Sequence, residues 1–222
     1  MQRVLYTYWR SQAAYRVRIA LHLKGLHADF ADLDLLKGDQ FAAHYRALNP
    51  EMMVPTLIEE GQRTPLIQSM AILEYLDERY PHPPLFPSGA EARARARAIA
   101  YTVAMDAHPF IVPRVRKYLA QELRQDEASR EKWVIHWLNE GSNAVEALLA
   151  STVRPGAFCC AEGPGIADIC LVAHFTSAAL FKARDVAHFP IAHQIFDACM
   201  AMEAFASTHP LRQVGAEADA TV

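Results

Sequence analysis

The spacing of hydrophobic positions changes near residue 81 and divides the chain into two halves of different character. In the first half, short apolar or alternating runs, which are typical of strands, lie between segments with helical spacing. The pattern predicts strands over Val4–Trp9, Ala28–Leu35, Thr56–Glu59 and Pro65–Gln68, helices over Tyr15–Lys24 and Ser69–Tyr80, and a short helix before the third strand. The predicted order is β-α-β-α-β-β-α, which indicates an α/β domain.

The second half has helical spacing throughout, with apolar residues recurring three and four positions apart. It predicts helices over Ala90–Asp106, Arg114–Arg124, Glu131–Leu149, Ala167–Phe181 and Ile191–Ala206. The proline-rich stretch between the halves cannot continue a helix, because proline lacks an N–H and fixes φ, and it is predicted to be a linker. We therefore predict an α/β plus all-α protein: a thioredoxin-like domain at 1–81, a linker at 82–88 and a helical-bundle domain at 89–222.

Composition and charge exclude several classes of protein. Of the 222 residues, 52% are hydrophobic and 21% are charged, which provides enough apolar material for a core. The net charge is −3, so the chain lacks the excess of basic residues that is typical of nucleic-acid-binding proteins. It contains no long apolar run, so no membrane span is predicted. The N-terminus shows no signal peptide, and the four cysteines have no metal-binding or C-x-x-C spacing. We expect a cytoplasmic protein with reduced thiols, no metal, no nucleic-acid partner and no membrane association.

The first candidate for chemistry lies where the first predicted strand meets a helix. Arg10 and Ser11 form a polar pair between the apolar run Val4–Trp9 and the helix that follows it. The unpaired N–H groups and the positive end of the helix dipole both point to this place. A hydroxyl beside a cation at such a junction indicates a site for an anion.

Two further junctions carry candidate residues. Pro55 is either a trans proline that starts the third strand or a cis proline that leaves the backbone of Val54 free to pair with an extended peptide ligand. Ser69 is either an ordinary N-cap or, together with Gln68, a site for a carboxylate at a helix N-terminus.

Three polar residues of the second half are interpreted separately. His108, near the end of a long predicted helix, is either a ligand contact or a partly buried helix-end histidine, and Arg114 is either an anion contact or a solvated arginine. Asp168 falls at the third position of a predicted helix, where a carboxylate caps free N–H groups, so we interpret it as a folding device. Gly165 stands where a capping box has serine or threonine, so only half of that reciprocal pair is possible.

Four motifs, spread over both halves, carry a family resemblance. They lie at Tyr8–Leu21 (Tyr-Trp-Arg-Ser-x-x-x-x-Arg-Val-Arg-Ile-Ala-Leu), Ala47–Leu57 (Ala-Leu-Asn-Pro-x-x-x-Val-Pro-Thr-Leu), Ile67–Leu76 (Ile-Gln-Ser-x-Ala-Ile-x-Glu-Tyr-Leu) and Ala167–Val172 (Ala-Asp-x-Cys-Leu-Val). With these motifs the chain resembles cytosolic glutathione transferases of the zeta class, the group of maleylacetoacetate and maleylpyruvate isomerases. The resemblance implies a thioredoxin-like domain that binds glutathione, a helical domain that supplies a wall for the second substrate, and a two-fold homodimer.

The resemblance also implies roles for individual residues of the first half. Ser11 matches the residue that stabilises the glutathione thiolate, and Val54 matches the backbone contact to the cysteinyl part of glutathione. Gln68 and Ser69 match the site for the γ-glutamyl carboxylate, and Arg10 matches a basic residue that faces the substrate.

The chain departs from the zeta-class pattern at three places, one of which is Met53, where the pattern often has a glutamine before Val-Pro. The class usually reads Ser-Ser-Cys, whereas this chain reads Ser11, Gln12, Ala13. An arginine that binds a substrate carboxylate in the isomerases is replaced by Leu180, with Arg184 about one helical turn away. A mechanism that needs the second hydroxyl or the cysteine therefore fails in this chain, whereas one based on Ser11 and the helix terminus is retained.

The function implied is glutathione-dependent cis–trans isomerisation of maleylacetoacetate or maleylpyruvate in the catabolism of aromatic compounds. Ser11 and Arg10 are the expected catalytic residues, His108 is expected to reach glutathione, and Arg10 and Arg114 are expected to hold acidic groups of the substrate. The alternatives are a general glutathione transferase that conjugates or dehalogenates small electrophiles, and a non-catalytic module that binds glutathione or a protein. A fold shared by many functions does not decide between them.

Overall fold

The computed structural model describes residues 1–151 and 154–216, and these residues divide into two compact units. The first unit contains Met1–Leu85 together with the described residues 203–216, and the second contains Phe86–Met202. The sequence predicts the helical domain at 89–222, whereas the helical unit of the structure begins at Phe86 and ends at Met202. We describe each unit by itself.

The first unit is built on a four-stranded mixed sheet with strand order β2-β1-β3-β4. The strands are β1 (Arg3–Thr7), β2 (Asp29–Asp32), β3 (Thr56–Glu59) and β4 (Leu66–Ile67), and the helices are α1 (Gln12–Leu23), α2 (Ala43–Leu48) and α3 (Ser69–Arg79). Strand β1 runs parallel to β2 and antiparallel to β3, so that Leu5 lies opposite both Phe30 and Leu57. Helices α1 and α3 pack against each other. This order of elements confirms the predicted α/β fold of the first half.

A glycine stop and a buried lysine mark the end of helix α1. After the helix ends, Gly25 adopts φ +64 and its N–H bonds the carbonyl of His22, which is the glycine stop that the sequence indicates. The buried Nζ of Lys24 donates to Asp77 Oδ1 at 2.8 Å and to the carbonyl of Pro83 at 2.6 Å. The first part of the predicted linker therefore belongs to the first unit.

The second unit is helical, as the sequence predicts. Its helices are α4 (Ala90–Met105), α5 (Pro113–Gln121), α6 (Glu127–Ala150), α7 (Ile166–Leu180) and α8 (Pro190–Met200). Helix α7 is buried along almost its whole length and packs against α4, α6 and α8. Gly141 allows α6 to lie close to Ala107 and to His174 of α7, because a Cβ atom at position 141 would lie 2.8 Å from Ala107 Cβ and 3.0 Å from His174 Cε1. Among the described residues, the helices are all too short or too polar to cross a membrane.

The helix predicted over Ile191–Ala206 is in fact two helices. Helix α8 ends at Met200, and α9 (Glu203–Ala206) belongs to the first unit, where it packs against α1. The Tyr15 hydroxyl donates to the carbonyl of Phe205 at 3.0 Å, and Arg18 Nε donates to the carbonyl of Thr208 at 3.3 Å. These bonds join the described segment 203–216 to α1, which the helical spacing alone does not reveal.

Candidate functional site

Ser11 is the N-cap residue of α1 and lies directly after the loop that follows β1. Its half-buried Oγ accepts a hydrogen bond from the N–H of Ala14 at 3.1 Å. A hydroxyl that accepts one bond retains its own hydrogen for donation to a ligand. The N–H groups of Gln12 and Ala13 donate to no described residue, so three donors converge on this helix end.

Arg18 of α1 fixes the loop before Ser11 through hydrogen bonds. This buried guanidinium donates to Thr7 Oγ1 at 2.9 Å and to the carbonyl of Trp9 at 3.2 Å. Burial lowers the pKa of Arg18 to about 10, so the group stays charged at neutral pH. Arg10 is half-buried in the same loop, with its guanidinium 5.9 Å from the centre of the Trp9 ring. The structure thus brings Arg10 and Ser11 together at the positive end of α1, as the sequence predicts.

Val54 precedes Pro55 across a cis peptide bond, which decides the alternative that the sequence leaves open. Neither the backbone N–H nor the carbonyl of Val54 has a hydrogen-bond partner among the described residues. The segment is fixed by two side chains of the preceding helical region: the Tyr45 hydroxyl and Asn49 Nδ2 both donate to the carbonyl of Met53, at 2.5 and 2.8 Å. The backbone of Val54 is therefore held in place with its polar groups available to an extended ligand.

Gln68 and Ser69 stand at the N-terminus of α3. Gln68 has a positive φ of 66° and donates through Nε2 to both carboxylate oxygens of Glu51, at 3.0 and 2.8 Å. Ser69 is buried, and its Oγ accepts from Arg16 Nε at 3.1 Å. Ser69 keeps a hydroxyl hydrogen and lies beside a guanidinium and a helix N-terminus, an arrangement that suits a carboxylate.

Arg16 is the residue of this site that the sequence reasoning missed. It is 2% exposed and belongs to α1, although it serves the N-terminus of α3 through Ser69. The sequence does contain one signal, because Arg16 stands between the apolar residues Tyr15 and Val17 in a helix that is predicted to be buried. Charged side chains are almost never fully buried without a partner, so an arginine among buried residues indicates a nearby group that accepts its hydrogen bonds.

The remaining candidates belong to the second unit. His108 is half-buried in the short 3-10 helix His108–Phe110, Arg114 is exposed on α5, and Leu180 is the last residue of α7. That His108 and Arg114 act with Ser11 stays a prediction. In the part of the chain that the structure describes, no group of three or more His, Cys, Asp or Glu is placed to hold a metal ion.

Asp168 has the geometry of a helix cap. It is 1% exposed, and its carboxylate accepts from the N–H of Gly165 at 2.9 Å and from the N–H of Cys159 at 2.8 Å. Burial raises the pKa of Asp168, while the two N–H donors act against that rise. Both carboxylate oxygens therefore bind backbone of the same unit, which supports the interpretation as a folding device.

Comparison with known proteins agrees with this geometry. Residues 5–84 match the family model described as glutathione S-transferase, N-terminal domain. A maleylpyruvate isomerase of a Ralstonia species is 38% identical over 209 residues, which cover 94% of this chain and 97% of that protein. The holo structure of a maleylpyruvate isomerase, a bacterial glutathione S-transferase in the zeta class, has a TM-score of 0.90 at 37% identity and covers 96% of this chain and 99% of that one.

A further solved structure is similar over its whole length. The maleylacetoacetate isomerase of Methylobacterium extorquens AM1, crystallised with bound malonate and glutathione, has a TM-score of 0.92 at 39% identity, and the match covers 96% of this chain and 99% of that one. The chain therefore belongs to the glutathione transferase family. The relatives named above are maleylpyruvate and maleylacetoacetate isomerases, one of them described as zeta class, so the resemblance and the fold class inferred from the sequence are confirmed.

Proposed function

We propose that this protein is a glutathione-dependent cis–trans isomerase of small unsaturated acids of the maleylacetoacetate or maleylpyruvate type. The observation that carries the proposal is the Ser11 hydroxyl at the N-cap of α1, flanked by the unused N–H groups of Gln12 and Ala13. Full-length relatives with these activities, and a relative with glutathione and a dicarboxylate bound, support it.

Glutathione occupies the first unit in this proposal. The cysteinyl part of the tripeptide pairs with the free backbone N–H and carbonyl of Val54, as a strand would. The γ-glutamyl carboxylate binds at the N-terminus of α3, where the Ser69 hydroxyl and N–H lie beside the Arg16 guanidinium. Gln68 Nε2 is engaged by Glu51, so a contact of Gln68 with this carboxylate stays a prediction. These contacts place the thiol of glutathione toward Ser11.

Ser11 and the end of α1 activate the thiol. A free thiol is mostly protonated at neutral pH, and a hydroxyl donor with the positive end of a helix favours the thiolate and lowers its pKa. The thiolate adds to the cis double bond of the substrate, the resulting single bond rotates, and expulsion of the thiolate gives the trans isomer. Arg10 binds an acidic group of the substrate. Glutathione is regenerated in each cycle.

Isothermal titration calorimetry with reduced glutathione tests the binding step. We expect saturable one-to-one binding, and weaker binding by a Ser69→Ala variant, which loses a hydroxyl that meets the carboxylate. S-methyl glutathione serves as the matched ligand, because it retains the two carboxylates but cannot form a thiolate. Undetectable binding at millimolar glutathione would remove the basis of the proposal.

A homodimer is the proposed assembly, supported by the family resemblance. Sedimentation equilibrium at micromolar protein is expected to give twice the 24.8 kDa chain mass. A monomer with full isomerase activity would show that assembly is unnecessary for the reaction.

A further inference from the structure

Gln12 carries a buried amide that the glutathione contacts described above do not use. The residue is 3% exposed, and within the described chain neither its Nε2 nor its Oε1 has a hydrogen-bond partner. Burying an amide without partners costs free energy of folding, because the water that it loses is not replaced. A side chain in this condition suggests a partner that arrives with a ligand.

The position of Gln12 places its amide at the active end of α1. It is the first residue of a 12-residue helix and directly follows the N-cap Ser11. Cα–Cβ bonds in a helix tilt toward its N-terminus, so the Gln12 side chain is directed to the same end as the unused N–H groups of Gln12 and Ala13. The buried amide and the helix N-terminus are two independent observations at one place.

We propose that Gln12 Nε2 donates a hydrogen bond to the carbonyl oxygen of the second substrate and stabilises the enolate that forms during isomerisation. The proposal rests on the function proposed above. In this proposal the Ser11 hydroxyl donates to the sulfur atom. The Gln12 side chain is longer than that of Ser11, and it extends beyond the sulfur atom to the conjugated carbonyl. Gln12 is then a catalytic residue, because its amide touches the reacting atoms.

The electron balance of the step explains why a donor is needed there. A sulfur lone pair forms the C–S bond, the C=C π pair moves to make a new double bond to the carbonyl carbon, and the carbonyl π pair moves to oxygen. The negative charge passes from sulfur to oxygen with no proton transferred. After rotation the electrons return, the trans C=C forms and the C–S bond breaks.

Because the oxygen carries the charge only after addition, the Gln12 bond is stronger in the transition state than with the bound substrate. It therefore raises kcat more than it lowers KM. An amide does not titrate, so its contribution is independent of pH, unlike that of the thiolate.

The test replaces Gln12 with methionine, which has a similar length and shape but no hydrogen-bonding amide. We expect kcat for isomerisation of maleylpyruvate to fall on the order of 10²–10³, the usual effect of losing one positioned donor. The calorimetric glutathione affinity and the thiolate pKa, followed by ultraviolet absorbance of the bound thiolate, are expected to stay at wild-type values. The melting temperature is expected to be equal or higher, since an unpaired buried amide has been removed.

Gln40→Met is the matched control. Gln40 is also buried in the first unit, with an unpaired Oε1 among the described residues, but its Nε2 is already used by the carbonyl of Leu35. The same substitution there is expected to leave kcat unchanged.

Three results would overturn the inference. Gln12→Met with wild-type kcat would show that the amide does not touch the reaction. A raised thiolate pKa in Gln12→Met would show that the amide serves sulfur and not the substrate oxygen. A lowered melting temperature with unchanged kcat per folded molecule would show a structural role. Absence of isomerase activity in the wild type would overturn this inference and the proposed function together, whereas the first three results leave the wild type active.

Discussion

At the scale of single residues, Ser11 combines two roles in one hydroxyl. The oxygen accepts from Ala14 N–H as a helix cap, and the hydrogen is left to donate to a thiolate. The residue thus links the formation of α1 directly to the chemistry at its end. Measurements of turnover and of stability on the same Ser11 variants report the two roles separately.

Ser11→Ala is expected to lower kcat on the order of 10²–10³ and to raise the pKa of the bound thiol, because a positioned donor is lost. It also costs about 0.5–2 kcal/mol of folding free energy through the lost cap. Steady-state kinetics and chemical denaturation measure the two effects. Ser11→Thr, which keeps the hydroxyl, is the rescue variant. Wild-type turnover in Ser11→Ala would show that another group activates the thiol.

Leu180 is the second residue at which a single change is informative, since the family resemblance implies an arginine there in the isomerases. A charged hydrogen bond contributes roughly 1.5–3 kcal/mol, or about ten- to hundredfold in binding. We expect Leu180→Arg to raise kcat/KM for maleylpyruvate by up to that factor. The uncharged Leu180→Gln is the control for side-chain length. If wild type is already efficient and the arginine is neutral or harmful, Leu180 does not correspond to the family arginine.

At the scale of elements, the first unit is tied together by a carboxylate on β3. The buried Glu59 accepts from Arg3 on β1, from the Tyr75 hydroxyl on α3 at 2.5 Å and from the Tyr80 hydroxyl at 2.9 Å. Burial alone would raise the pKa of Glu59, but the hydrogen bonds from Tyr75, Arg3 and Tyr80 outweigh it and hold the pKa below its ordinary value of 4.5.

A carboxyl whose pKa is lower in the folded state stabilises the fold above its unfolded pKa and loses that contribution as the pH falls through the folded value. We therefore expect the free energy of unfolding to decrease below about pH 4.5. Glu59→Gln is expected to be less stable at pH 7 and to show a flatter acid dependence. Urea denaturation between pH 3 and pH 7 measures both. An acid dependence that is identical in the two proteins would assign the effect to other groups.

In the second unit, the buried carboxylate of Asp168 fixes the start of α7, as Glu59 ties together the elements of the first unit. Asp168→Ala leaves the buried N–H of Cys159 and the N–H of Gly165 without their acceptor, and an unsatisfied buried donor costs about 1–3 kcal/mol. We expect a lower melting temperature with unchanged kcat per folded molecule. Unchanged stability with lost activity would make Asp168 a catalytic group and reverse our assignment.

The element scale also shows what the sequence could predict. Strand β3 and the start of α3 agree with the predicted Thr56–Glu59 and Ser69, because glycine, proline and capping residues mark their ends. Helix α6 begins at Glu127 and not at Glu131, since its first turn is polar and capped by Asp126, whose Oδ1 accepts from Ser129 N–H at 2.7 Å. Apolar spacing detects the buried part of a helix and misses a solvated first turn.

At the scale of the whole molecule, spacing predicts helices but not the unit on which each one packs. Helix α9 continues the apolar pattern of α8, yet it belongs to the first unit through Phe205 and Thr208. The candidate site shows the same limit. Ser11, Val54, Gln68 and Ser69 were found from junctions and motifs that the chain displays locally. Arg16 serves an element 53 positions away in sequence and was found only from the structure.

In the proposed reaction, glutathione acts as a catalyst and not as a consumed substrate. The most direct measurement supplies maleylpyruvate in large excess over glutathione and follows both the trans product and the free thiol. We expect many turnovers of product per glutathione, no reaction without glutathione, and a constant thiol concentration. Stoichiometric loss of thiol as substrate disappears, or turnover without glutathione, would contradict it.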